Sequence, residues 1–152
     1  MFGATEQGTV AVLANHALDL VVPARRGEVA AARHALVEHL SRHGVSSMVV
    51  DDLELVASEL ITNAIVHPKP MPQAVVQVHV EVADLVAMTV ANVGSARAIP
   101  PVEAWLPAAP GALSGRGLGI VRRLCDDVAV EQRGELAVVS CRRHLPDGGG
   151  MP

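Results

Sequence analysis

Aromatic side chains are almost missing from this sequence, which has no tyrosine, one phenylalanine (Phe2) and one tryptophan (Trp105). That shortage excludes the aromatic stacking platforms on which single-stranded nucleic acids are held. It also means that any core must be built from Val, Leu, Ile and Ala. Cysteine is equally scarce. Cys125 and Cys141 show no Cys-x-x-Cys spacing, so a disulfide framework and a zinc ribbon are both excluded, and each is expected as a buried free thiol. There is no large excess of one charge: the formal net charge is −4 and the pI about 5.9, giving no electrostatic reason to expect nucleic acid or an anionic membrane as a direct partner. The basic pairs Arg25-Arg26, Arg122-Arg123 and Arg142-Arg143 read as solvated faces. No apolar run reaches the roughly 18 residues of a membrane span, and the N-terminus has no basic-then-apolar leader with a cleavage site. A cytoplasmic protein is expected.

What is present is apolar residues, half of the chain, in a length that suits one domain. Residues 1–17 are expected to be a leader, with a possible short strand from Thr9 to Ala14 or disorder. Ala17 to Val22 reads as a strand stopped by Pro23. Gly27 to about His43 has helical spacing of apolar residues, with Gly44 as its stop. Asp51-Asp52 is expected to open a second helix running to about Val66, ended by Pro68, Pro70 and Pro72. Ala74–Val82 and Leu85–Val93 alternate and read as a hairpin turning at Ala83-Asp84. Gly94 to Leu113, rich in proline, reads as a long loop or lid. Arg116–Asp126 returns to helical spacing. Val128–Gln132 and Leu136–Arg142 form a last hairpin, before a tail (residues 145–152) expected to be disordered. The order predicts an α/β fold, an α+β two-layer sandwich: a mixed, mostly antiparallel sheet with helices on one face.

Three places carry candidate chemistry. On a helical wheel, Leu53, Val56, Ala57, Leu60 and Ala64 form one apolar stripe, and Glu59 and Asn63 lie along its flank at i, i+4. His67 continues that line a turn later, where the negative end of the helix also favours it. Alone, such residues are equally the ordinary polar border of an amphipathic helix. The string Gly115-Arg116-Gly117-Leu118-Gly119 opens the third helix, where glycines let the backbone approach a ligand and the helix start suits phosphate. Alone, it is equally a flexible loop before a helix. It lacks the Gly-Lys-Ser/Thr of a Walker A loop and follows no βαβ turn. Asn92-Val93-Gly94, at the end of a strand, can place a polar group on a cleft floor or simply mark a strand exit.

Read in order, the three motifs resemble the GHKL superfamily, with its Bergerat ATP-binding fold, and are closest in layout to the bacterial anti-sigma-factor serine/threonine kinases. Glu59–Ala64 is similar to the N-box, Asn92-Val93-Gly94 to the first glycine box, and Gly115–Gly119 to the second. The resemblance covers residues 18–144, the expected domain. It implies that Asn63 holds Mg²⁺ against ATP phosphates and that Glu59 acts as general base. It further implies that Gly115, Arg116, Gly117, Leu118 and Gly119 cradle the phosphates, while Asn92 meets the adenine amino group and Gly94 leaves room for the ring. Two positions depart from the pattern. Asn92 stands where the family has Asp, and Gly134-Glu135-Leu136 where many relatives have Gly-Lys-Thr, so a polar contact near the phosphates is expected to be missing.

The function implied is an ATP-binding protein serine/threonine kinase that binds a sigma factor and/or phosphorylates an anti-sigma antagonist, with ATP and Mg²⁺ as cofactors and a homodimer possible. The alternative is a non-catalytic binding module of the same fold, with ATP binding weakened or lost because Asn92 replaces the adenine-contacting Asp. A sensor kinase ranks behind both, because the helix carrying His34 and His39 lacks an acceptor-histidine pattern. A larger ATP-driven clamp also ranks behind, for want of a transducer segment.

Overall fold

The structure, a computed structural model, describes residues 8–66, 73–106 and 116–146. His67, the prolines at 68, 70 and 72, Ser114, Gly115 and the tail from 147 lie outside the described residues. Six strands form one sheet: β1 (Val10–Ala14), β2 (Ala17–Pro23), β3 (Val75–Val82), β4 (Leu85–Val93), β5 (Asp127–Arg133) and β6 (Leu136–His144). Their order is β1-β2-β3-β4-β6-β5, and every pairing is antiparallel. Three helices, α1 (Val29–Arg42), α2 (Ser47–Val66) and α3 (Arg116–Leu124), supply the second layer. This is the expected α/β two-layer sandwich.

The strand alternation sets which face receives the helices. Successive strand side chains point to opposite faces, so Val76, Val78, Val80 and Val82 of β3 and Val86, Met88 and Val90 of β4 turn one way and are buried. Gln77, His79, Glu81 and Thr89 turn the other way, and His79 Nδ1 bonds the Asp19 carboxylate at 2.6 Å. The register pairs Val78 with Val90 and Val80 with Met88. Against this valine-rich face α1 lays Leu36 and Leu40, and α2 lays Leu53, Val56, Ala57 and Leu60, all buried. Those α2 positions are the stripe that the wheel predicts. Both cysteines are buried free thiols, as expected.

β1 is real and lies at the sheet edge, joined to β2 through Asn15, whose φ of 55° falls in the left-handed region that Asn tolerates better than most residues. α2 begins at Ser47 rather than at Asp51, which corrects the expected start. The cause lies in the turn before it. Gly44, at φ 77°, ends α1 in a Schellman motif, with Gly44 N–H bonding Ser41 O at 3.1 Å and Val45 N–H bonding Leu40 O at 3.1 Å. Val45 is thereby drawn into the core, and Ser46 O already accepts Val50 N–H at 2.9 Å. The new helix thus starts one residue later, and Asp52, well inside it, meets Arg143 Nη1 at 2.8 Å. Arg143 also donates to Leu124 O, so this arginine is not merely a solvated face. β5 and β6 outrun their expected ends because Asp126 N–H bonds Arg142 O and the Asp126 carboxylate accepts His144 N–H, which extends the ladder by a rung.

His39 of α1 is the one buried polar residue of the core among the described residues, 1% exposed. Its Nε2–H donates to His16 O at 3.1 Å, while Nδ1 has no hydrogen-bond partner among them. Burial is the main reason its pKa lies below the ordinary 6.5, ahead of the His16 carbonyl, which opposes the shift. A lowered histidine pKa means that the unfolded chain binds the proton more readily than the folded one below pH 6.5. Stability then falls as the pH drops through that value and is unaffected well above it. Between about pH 7.5 and about pH 5.5 the melting temperature of the wild type is expected to fall relative to that of His39→Gln, which keeps an N–H donor. His79, its pKa raised by the bond to the Asp19 carboxylate, acts in the opposite sense in both proteins. Equal slopes in thermal melts of the two proteins would remove His39 from the account.

Candidate functional site

The polar flank of α2, the end of β4 and the start of α3 come together at one end of the sandwich. Asn63 sits one turn after Glu59 on the border of the buried stripe, so that both are half-buried. Asn92 projects from β4 on the helix side, opposite Val76 of β3 and Ala137 of β6. β4 leaves the ladder at Val93, where Gly94 N–H bonds Glu135 O at 3.0 Å. The chain then turns across the cleft through two short 3-10 turns, Ala96–Ala98 and Val102–Ala104, within the region expected as a lid.

These pieces enclose a cavity of about 120 Å³ lined by Asn63, Asn92, Gly94 and Leu118 among the sequence-predicted residues. Its walls are Leu60, Val90, Ile99, Leu118 and Val139, an apolar slot. A dry cavity of about 150 Å³ accepts benzene, so the slot is of the size that takes a flat ring. Glu59 lies outside the slot and against α3. A side chain at residue 117 would overlap its carboxylate, so Gly117 leaves the place that the Glu59 carboxylate occupies against α3. Gly119 is buried one turn into α3. Arg116 opens α3, its side chain and the whole of Gly115 lying outside the described residues.

The helix start brings N–H groups and the positive end of a dipole to the rim of the slot. Among the described residues no group of three or more His, Cys, Asp or Glu side chains is placed to hold a metal ion. A magnesium ion at Asn63 therefore needs ligand oxygens from elsewhere, which is how Mg²⁺ binds when substrate phosphates complete its octahedron. The donor set fits a nucleotide-borne metal and not a freestanding one.

Leu136 takes no part in the site. The pleat turns Ala137 and Val139 into the slot, and Leu136 faces the opposite side of the sheet beside Val138 and Arg133. The expected gap in phosphate contacts at Leu136 is thus corrected, because residue 136 has the wrong parity. Sequence reasoning also missed the residues that hold the cavity wall. Gln132 donates to Gly94 O at 3.0 Å and accepts Ala96 N–H at 2.7 Å. Arg122 Nη1 donates to Val102 O at 3.1 Å and Glu103 O at 3.2 Å, tying the second 3-10 turn to α3. Trp105 is buried and donates to Pro100 O at 2.8 Å. No local pattern marks Gln132 or Arg122, since the backbone groups of the wall that they hold lie 19 to 38 positions away. For Trp105 a signal existed, since a lone tryptophan in an apolar chain belongs in a core.

Comparison with known proteins adds three findings. The family described as histidine kinase-like ATPase domain matches residues 22–143. No curated protein matches by sequence. Solved structures with the same fold include the RsbU and RsbW domains of a Mycobacterium tuberculosis protein (17% identity, TM-score 0.61, covering 83% of this chain and 32% of that one). The SiaB–SiaC complex from Pseudomonas aeruginosa is another (18% identity, TM-score 0.58, 92% and 91%). The histidine kinase domain of a blue-light activated histidine kinase from Erythrobacter litoralis is a third (20% identity, TM-score 0.51, 85% and 64%). This chain spans about a third of the first of these, and at such identities the likeness is one of fold. Among the described residues no helix is long and apolar enough to cross a membrane.

The contact of Glu59 with Gly117 can be measured. Gly117→Ala places a methyl group where the Glu59 carboxylate lies, so that this flexible end must swing away and the Glu59 Cβ give slightly, at a cost of about 1 kcal/mol that the better helix propensity of Ala partly offsets. In a Glu59→Ala background the clash is gone. A double-mutant cycle by urea denaturation is expected to give a coupling of about 1 kcal/mol between the two positions. Additive effects would mean that the helices do not meet there.

Proposed function

We propose that this chain, which belongs to the family of histidine kinase-like ATPase domains, binds Mg-ATP in the slot between α2, β4 and α3 and acts as a protein serine/threonine kinase of the anti-sigma type. It binds a sigma factor and/or phosphorylates a serine of an anti-sigma antagonist, in the cytoplasm. The observation that carries the reading is the convergence of Asn63, Asn92 and the glycine-bearing start of α3 on one ring-sized apolar cavity. A protein partner is supported by the similar fold of SiaB, which is known in complex with SiaC.

In this reading the residues divide the work by position. The apolar walls Leu60, Val90, Ile99 and Val139 take the base, and Asn92 offers its amide oxygen to the amino group of the ring. Gly94 lines the cavity at the strand exit, where a Cβ would meet only the Asn92 amide among the described residues, leaving room beside the ring. The α3 start, with Gly115, Arg116, Gly117, Leu118 and Gly119, takes the phosphates. Asn63 gives one oxygen to the metal. Bound Mg-ATP supplies the phosphoryl group and the charge neutralisation for its transfer. Glu59, held against Gly117, takes the proton from the attacking serine hydroxyl.

A second reading has one observation in its favour. Asn92 is neutral where the family's Asp makes a charge-assisted bond, roughly twice as strong as a neutral one. Such a weakening points to a binding module that has lost ATP use.

Calorimetry with Mg-ATP separates the two. Under the kinase reading the wild type binds, Asn63→Ala abolishes binding and Asn92→Asp tightens it about tenfold. Glu59→Gln then keeps binding and loses phosphoryl transfer to an antagonist. Binding that appears only after Asp is restored at residue 92 would replace the kinase with the binding module.

A further inference from the structure

Among the described residues, the lining of the slot contains no ionisable group. Of the residues lining it, only Asn63, Asn92 and Ser95 carry polar side chains, and Ser95 Oγ already accepts Arg97 N–H at 3.2 Å. Asn63 lies near the end of α2, one turn after Glu59, whose carboxylate lies against the start of α3. Asn92 is therefore the polar group that meets the edge of a ring seated over the paired Val90 and Val139, with Val76 and Ala137 as its strand neighbours.

We propose that Asn92 makes this site permissive at position 6 of a purine, so that it accepts 6-oxopurine nucleotides, of the inosine or guanine kind, as well as 6-aminopurine ones. The inference rests on the nucleotide reading above and names the ligand class of the same site. A carboxylate at this place only accepts hydrogen bonds. It faces an amino group well and a carbonyl oxygen badly, because both partners are then acceptors. A carboxamide carries an acceptor and a donor of nearly equal size. Turned one way it takes a hydrogen from an amino group, and turned the other it gives one to a carbonyl.

The two orientations are not equal here. Asn92 Nδ2–H donates to Val93 O at 3.2 Å, which leaves Oδ1 for the cavity and favours the amino-bearing ring. Turning the amide over forfeits that neutral, solvent-exposed bond, worth about tenfold in affinity. A carboxylate has no such second orientation. Set against a 6-oxopurine, it loses its partner at position 6 and must shift to reach the neighbouring N1–H, a penalty of roughly tenfold or more. Selectivity at this edge is thus a difference between two modest terms in the wild type, and between one good and one bad contact with Asp in place.

The test is calorimetry of Mg-ATP and of magnesium inosine triphosphate, which differs from ATP only at that edge of the ring, on wild type and Asn92→Asp. Asp is nearly isosteric with Asn, and matching thermal melts check that the variant folds. The wild type is expected to bind both within about tenfold of each other, and Asn92→Asp to widen the preference for ATP by a further tenfold or more. A wild type that binds ATP and excludes inosine triphosphate by a hundredfold overturns this proposal and leaves the nucleotide reading standing, as does an unchanged ratio in the variant. Binding only in Asn92→Asp also overturns it. No binding of either triphosphate by either protein overturns both readings.

Discussion

The start of α3 lies against the flank of α2 with the Glu59 carboxylate between them and no side chain from residue 117. Glu59 projects from the flank of α2 toward residue 117, and any Cβ there would occupy the space of its carboxylate. With glycine, the start of α3 settles at the mouth of the slot, and Leu118, next in sequence, closes one wall. The rest of the arrangement follows from that approach. The α3 amides reach the rim, the apolar walls stay within one ring's width, and a carboxylate is left beside the helix start, with no salt bridge to it among the described residues. Such a carboxylate is stabilised by the positive end of the helix.

The sheet supports this geometry from below by supplying parity. β4 and β6 run side by side with Asn92 opposite Ala137, so both residues look toward the helices while Ala91 and Leu136 look away. One residue of slip in β4 would put Ala91 or Val93 where Asn92 stands and turn the amide to the far side of the sheet. The long valine-rich pairing of β3 with β4 holds that register, because each core-facing position is filled and buried.

Much of this was legible in the sequence, and the reason differs from place to place. The β3–β4 hairpin announces itself by alternation, and the limits of β4 are those the pattern predicts. The stripe on α2 is equally plain because it is wide and regular. The start of α2 was not legible. Asp51-Asp52 looks like a favourable helix opening, but the Schellman turn at Gly44 commits the chain four residues sooner. Asn92, Gly94 and Leu118 were found through their neighbours in the motifs. Arg122 and Gln132 were not, since their partners are backbone atoms of a segment whose path only tertiary packing sets. The parity of Leu136 was readable in principle, by counting along β6 from Ala137, and was lost by reasoning from motif position alone.

The tie made by Arg122 has its own consequence. Its guanidinium grips the carbonyl oxygens of Val102 and Glu103 and not their side chains. Every amino acid brings the same oxygen, so the clasp does not read the sequence it holds. The outer wall of the cleft can therefore drift in composition, presenting new side chains to whatever approaches from outside, while its distance from the glycine-bearing helix stays the same.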